Sequence, residues 1–218
     1  MPPASSSSPP VRVGELAAWL QELVVRWHDA EPQVDGCGLQ DRIEALHRWN
    51  FLLWHEEDLA RAPTAGDPAV AAVKRAIDRY NQSRHDSIEA VDDLLAEILA
   101  ERQIAPPFGA LAATETPASA LDRLSVLELR RYHMLEEARR PSASGEHRAR
   151  AATRLGVLDL QREQLVASLD ALLGEIFQGL RPLHRFRQMK MYNDPTLNPQ
   201  LYSAFLPDQL ASPPDHET

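Results

Sequence analysis

The sequence predicts an all-α protein: an up-and-down bundle of four long helices, preceded by an N-terminal helix and followed by an irregular C-terminal segment. Three observations carry that expectation. Apolar residues recur at three- and four-residue spacing in five stretches, and no Val/Ile/Thr-rich alternating run stands between them. The prolines and most of the glycines sit at the ends of those stretches or between them. Only 9 of 218 residues are glycine, while Ala, Leu, Glu and Arg are abundant, which favours helix.

The first helix runs from about Val11 to His28, with Leu16, Trp19, Leu20, Leu23 and Trp27 along one face, and ends before Pro32 and Gly36. The second runs from about Leu39 to Arg61, closed by Pro63. Asp67 followed by Pro68 is an N-cap with proline at the first helical position, and opens a third helix reaching Arg102. Thr116-Pro117 repeats that signature and opens a fourth, to about Arg140; a fifth follows the turn at Pro141 to Gly145 and ends near Gly179. Four long amphipathic helices with short connections pack as an up-and-down bundle. Residues 1–10 are a Pro/Ser-rich leader too polar to pack, 11–206 form one helical domain, and 207–218 are a disordered tail. Within that domain, the aromatics Phe186, Tyr192, Tyr202 and Phe205 predict that the segment from Pro182 to Pro207 lies against the bundle.

Composition excludes several functions. A net charge of −9 without a dense Lys/Arg block argues against nucleic-acid binding, which rests on cationic neutralisation of phosphates. No stretch approaches the roughly 20 apolar residues of a membrane-spanning helix, and Met1 to Pro10 lacks the features of a signal peptide, so the expected location is the cytoplasm. Cys37 is the single cysteine; it permits no internal disulfide and no thiolate zinc cluster. Gly-rich phosphate loops, Gly-x-Ser-x-Gly elbows and His-Glu-x-x-His motifs are absent, and no motif names a cofactor.

The informative feature is where the apolar seams turn polar. The third helix reads Val70, Val73, Ile77, Tyr80, then Arg84 and Ser87, then Val91, Leu94 and Ile98, with Lys74 and Asn81 flanking the same face. In the second, Asn50 and Glu57 interrupt the seam, beside Trp54, Asp58 and Arg61; the fourth carries Asp122 and Arg123 among leucines, and the fifth carries Arg162 where leucine is expected. A buried charge without a partner costs several kcal/mol, so several seam charges must compensate one another. The economical picture is one polar layer, with Glu57, Asp58 and Asp122 facing Arg61, Arg84, Arg123 and Arg162. Such a layer either fixes helix register or holds a ligand in the bundle core. His85 and His133 lie near it as candidate proton shuttles. His55 and Glu56 point away from the face shared by Trp54, Glu57, Asp58 and Arg61. Glu89 and Asp92 make a carboxylate pair on the outer, solvated side of the third helix. Glu44-Ala-Leu-His47 is one Glu-x-x-His motif where a di-iron bundle needs two.

These residues carry a resemblance. Asn50-Phe-Leu-Leu-Trp-His-Glu-Glu-Asp-Leu-Ala-Arg61, Lys74-Arg-Ala-Ile-Asp-Arg-Tyr-Asn-Gln-Ser-Arg84, Asp86-Ser-Ile-Glu89, Glu115-Thr-Pro-Ala-Ser-Ala-Leu-Asp-Arg-Leu-Ser125, Tyr132-His133 and Lys190-Met-Tyr-Asn-Asp-Pro195 look like the signature stretches of a bacterial family of helical proteins known only as a domain of unknown function. The likeness covers roughly residues 40 to 202. One departure is His85, where the family shows asparagine, which argues against a catalytic role for this imidazole. The resemblance implies a setting beside glycosyltransferases of surface-polysaccharide pathways, and it brings no assigned activity.

The resulting expectation is an accessory or binding protein whose polar layer holds a small anionic or sugar-phosphate-like molecule. Asn50, Trp54, Glu57, Asp58, Arg61, Lys74, Asn81, Arg84, Asp122, Arg123, His133 and Arg162 would supply the contacts. Two alternatives stand beside it. One is a metal-assisted phosphohydrolase or transferase on nucleotide sugars, using Glu57, Asp58 and Asp122. The other is a structural partner of a glycosyltransferase.

Overall fold

The computed structural model describes residues 7–62, 66–189 and 196–199. Among them are five helices and no strand: α1 Val13–Asp29, α2 Leu39–Ala60, α3 Asp67–Glu101, α4 Pro117–Arg139 and α5 Gly145–Phe177. Among the described residues, no helix is long and apolar enough to cross a membrane.

The helix ends follow the capping residues. Thr116 Oγ1 accepts from the Ser119 amide at 3.1 Å and starts α4, with Pro117 at its first position. Ser144 does the same for α5, accepting from the His147 amide at 3.1 Å. At α3 the cap shifts by one residue: Gly66 is the N-cap and Asp67 is already helical, placing its carboxylate in the first turn, where the dipole favours it. The α5 helix ends in a Schellman turn. Gly179, at φ +70°, donates to the Ile176 carbonyl at 3.0 Å, and Leu180 donates to Glu175 at 2.9 Å. A Cβ at 179 would stand 3.2 Å from the Ala105 carbonyl oxygen, so both the left-handed turn and the close approach call for glycine.

Short connections make two helical hairpins, α2–α3 and α4–α5, and α1 lies across α4 with lesser contact to α5 and α2. The α1 stripe Leu16, Leu20, Leu23, Val24 and Trp27 buries against Ile43, Leu121, Leu124, Leu129, Leu169, Leu173 and Phe177. Each fully buried leucine contributes roughly 1.5–3 kcal/mol. The first half of α5 is mostly exposed, and that of α3 buries only Ala76 and Ile77, so most of the core lies toward one end of each hairpin.

Two stretches beyond the helices depart from or extend the sequence reading. Arg102 donates to the Ser8 carbonyl at 2.7 Å, so the end of the polar leader is tied to α3. After α5, Leu183 packs on the core and Arg185 pairs with Asp93 at 3.0 Å, while Phe186 is half exposed. Tyr192, Tyr202, Phe205, the Lys190 to Pro195 motif, residues 1–6 and the tail from 207 lie outside the described residues. Residues 187–218 group as a separate unit, distinct from the helical body.

Candidate functional site

The charges gather around Asp122, on the second turn of α4, where the helix faces α2 and α3. Asp122 is buried, and its Oδ1 accepts from Asn50 Nδ2 at 2.8 Å and from Arg84 Nε at 2.7 Å. Oδ2 accepts from Arg84 Nη2, completing a two-pronged ion pair. That bond and Asp122's charge, opposed by partial burial, raise the Arg84 pKa above its ordinary value.

Behind Asp122 the network continues inward. Asn50 Nδ2 also donates to Ser125 Oγ at 2.9 Å; Ser125 Oγ lies 2.7 Å from His47 Nδ1, and His47 Nε2 lies 3.0 Å from the Leu20 carbonyl. A carbonyl only accepts, so Nε2 carries the proton and Nδ1 accepts from the Ser125 hydroxyl. Burial pushes the His47 pKa down to about 3 and keeps the ring neutral. Glu44 pairs instead with Arg26 at 3.3 Å. The Glu44-x-x-His47 motif is therefore structural.

In front of Asp122 the network opens into a groove of about 440 Å³ between α2, α3 and α4. It takes in Asn50, Trp54, Glu57, Asp58, Arg61, Asn81 and Arg84 of the sequence-predicted set, with Leu53, Val126, Leu129 and Arg130. Arg61 pairs with Glu57 at 2.8 Å on the exposed rim. Arg130 and Asn81 make no polar contact among the described residues, and Arg130 is a groove cation that the seam pattern misses.

The remaining predicted residues lie elsewhere, and the single polar layer is corrected to two clusters. Arg162 meets Glu128, a wholly buried acid on the α5-facing side of α4. Arg131 also pairs with Glu128, at 2.6 Å, and with Asp159, at 2.8 Å. Glu128 sits six positions beyond Asp122, nearly two turns on, which swings it toward α5. Lys74 pairs with Asp78 on the surface at 2.8 Å, and Arg123 with Glu115. Arg123 borders a larger groove of about 530 Å³ between α4 and α5, lined by alanines, leucines and glutamines around Arg130 and Glu115, without a buried ion pair. Asp92 also departs from the sequence reading. It is buried, and its Oδ1 accepts from the Ala118 amide at 3.0 Å, because the first turn of α4 presents amides with no partner of their own.

His133 lies eleven positions, about three turns, beyond Asp122 on the same helix. Its ring stacks on Trp54 at 4.8 Å, and its Nδ1 lies 2.9 Å from Glu136. Beside it stand His55 of α2 and His28 in the last turn of α1. One ring nitrogen from each of the three lies within 4.8 Å of the others. His28 Nδ1 is 2.7 Å from the Val24 carbonyl, and the three Nε2 atoms are buried without a hydrogen-bond partner. Burial, reinforced by the two neighbouring imidazoles, lowers the His55 pKa. Sequence reasoning turns His55 off the polar face, which agrees with this geometry, but no spacing rule joins residues 28, 55 and 133.

With this geometry in hand, a profile of the family described as protein of unknown function (DUF4254) matches residues 40–184, well over half of the chain. The chain belongs to this family. No curated protein and no solved structure matches it.

Proposed function

We propose that this DUF4254 member is a binding protein. Its α2–α3–α4 groove takes a small anionic, polyhydroxylated molecule of the sugar-phosphate or nucleotide-sugar class. The observation that carries this reading is a guanidinium held ready beside a second, unpaired one. Asp122 engages two N–H donors of Arg84, leaving three for a ligand, and Arg84 is 26% exposed at the groove wall. Arg130 lines the same space without an ion-pair partner among the described residues. Guanidinium forks match phosphate oxygens, and a pre-oriented one loses less entropy on binding. Asn81, Glu57 and Asp58 offer donors and acceptors for hydroxyls, and Trp54 contributes an apolar wall.

A thermal-shift titration with inorganic phosphate, sugar phosphates and nucleotide sugars tests this. The expected result is a concentration-dependent rise in Tm for at least one phosphorylated class, as mass action requires. Arg130→Gln should weaken it about tenfold without changing the unliganded Tm, since a charge-assisted bond to phosphate is lost. If none of these compounds stabilises the protein, or if the Arg84→Gln/Arg130→Gln pair responds like the parent, the reading is wrong.

A further inference from the structure

We propose that His28, His55 and His133 form a three-nitrogen site for a divalent transition-metal ion of the zinc class. Three helices, α1, α2 and α4, each deliver one imidazole to a common point. The hydrogen bonds show which nitrogens are left for a metal. His28 Nδ1 has only the Val24 carbonyl to bond, so it must donate; His133 Nδ1 donates to the Glu136 carboxylate in the same way. Both rings then carry their lone pair on Nε2. Donation from the far nitrogen to a carbonyl or carboxylate is the arrangement that orients metal-binding histidines and strengthens them as ligands.

The same Nε2 atoms, with that of His55, are buried and unpartnered. Leaving one buried polar atom unsatisfied costs about 1–3 kcal/mol, so three gathered together call for a common partner. An aromatic cluster alone does not explain them. The rings do pack well: His28 on Tyr132 at 4.3 Å, His133 on Trp54 at 4.8 Å, and His55 edge-on to Phe51 at 4.5 Å. Yet His47, in the same aromatic neighbourhood, 5.1 Å from the Trp27 ring, bonds through both nitrogens. Packing therefore does not force a histidine here to forgo its hydrogen bonds.

The dimensions fit an ion after a small closure. Tetrahedral zinc with bonds of about 2.0–2.1 Å holds its ligand nitrogens about 3.3 Å apart. The three nitrogens here lie within 4.8 Å of one another, so side-chain rotation of up to about 1.5 Å brings them to the ion. The ligand set is three neutral nitrogens and no thiolate, which suits Zn²⁺, Co²⁺, Ni²⁺ or Cu²⁺ rather than Mg²⁺ or Ca²⁺. Three protein ligands leave a fourth position for water or a bound molecule.

The test uses the full chain, stripped with chelator and titrated with Zn²⁺ or Co²⁺ alone. One equivalent should bind, raising Tm, and Co²⁺ should give the visible bands of a four- or five-coordinate centre. His28→Gln and His55→Gln, confirmed as helical by circular dichroism, should each lose at least about tenfold in affinity, and Glu136→Gln about tenfold through His133. His184→Gln should bind like the parent. Absence of stoichiometric binding by the parent protein overturns the site whatever the variants do. So does undiminished binding by helical His28→Gln and His55→Gln. Arg84→Gln should leave metal binding intact, which separates this site from the anion groove.

Discussion

Helix α4 carries two buried acids, and the contrast between their surroundings separates structure from candidate function. Glu128 faces α5 and is closed off: Arg131 and Arg162 both point into it, and Asp159 takes up the other side of Arg131. Asp122 faces α2 and α3, and its cation stands at the edge of an open groove. Both acids pair with arginine and both stand on the same helix. The Glu128 carboxylate is wholly buried and accepts from two arginines at once, which is what a register-fixing network does. The other cluster ends in a guanidinium that lines the groove between α2, α3 and α4. A polar seam is therefore not by itself evidence of a site.

The sharpest way to break this contrast is to remove each acid. Glu128→Ala leaves two arginines facing a desolvated gap and should cost about 3–5 kcal/mol in urea unfolding. Asp122→Asn, whose arginine can turn to water, should cost less, about 1.5–3 kcal/mol. Equal costs would mean that the groove is no more open than the α5 side.

The next effect is a pH dependence. His47 binds a proton in the unfolded chain below about 6.5 but in the folded protein only near 3. The unfolded state thus holds more protons between those values, and stability rises with pH there. It should be complete above pH 6.5 and fall by up to about 1.4 kcal/mol per unit as the pH drops toward 3. Comparing urea midpoints at pH 7 and pH 5.5 for the parent and His47→Gln checks this: the variant's midpoint should move less. An identical slope would mean that the ring takes up a proton in place.

Lys74→Ala and Arg123→Ala mark the lower end. Both side chains sit on the surface, Lys74 paired with Asp78 and Arg123 with Glu115. Each substitution should change stability by no more than about 0.5 kcal/mol and leave any anion-induced Tm shift untouched. Loss of that shift in Arg123→Ala would move the site to the groove between α4 and α5.

How much of this is written in the sequence depends on range. The five helices follow from spacing and from Thr116-Pro117, Asp67-Pro68 and Pro141 to Gly145, all local signals. The gathering of Asn50, Glu57, Arg84 and Asp122 is half legible: seam position says that a charge turns inward, but not which neighbour it meets. Arg162 and Asp122 therefore look like parts of one layer, when α4 separates them. Asp92 reads as an outer residue because its role, capping the start of α4, depends on a helix 26 residues away. Glu128 has a signal in hindsight, an acid within Val126-Leu127-Glu128-Leu129. The three histidines have none, since 27 and 78 residues of chain separate them.

The contribution of α1 carries a further consequence. The segment that matches the family profile begins at residue 40, after α1 has ended at Asp29. Yet the carbonyl that fixes the His47 tautomer belongs to Leu20, and one of the three converging imidazoles belongs to residue 28. An excised 40–184 piece would keep every groove side chain while losing the anchor that sets the rotamer of Asn50 from behind. The packed unit of this protein is larger than the stretch by which its kin are identified.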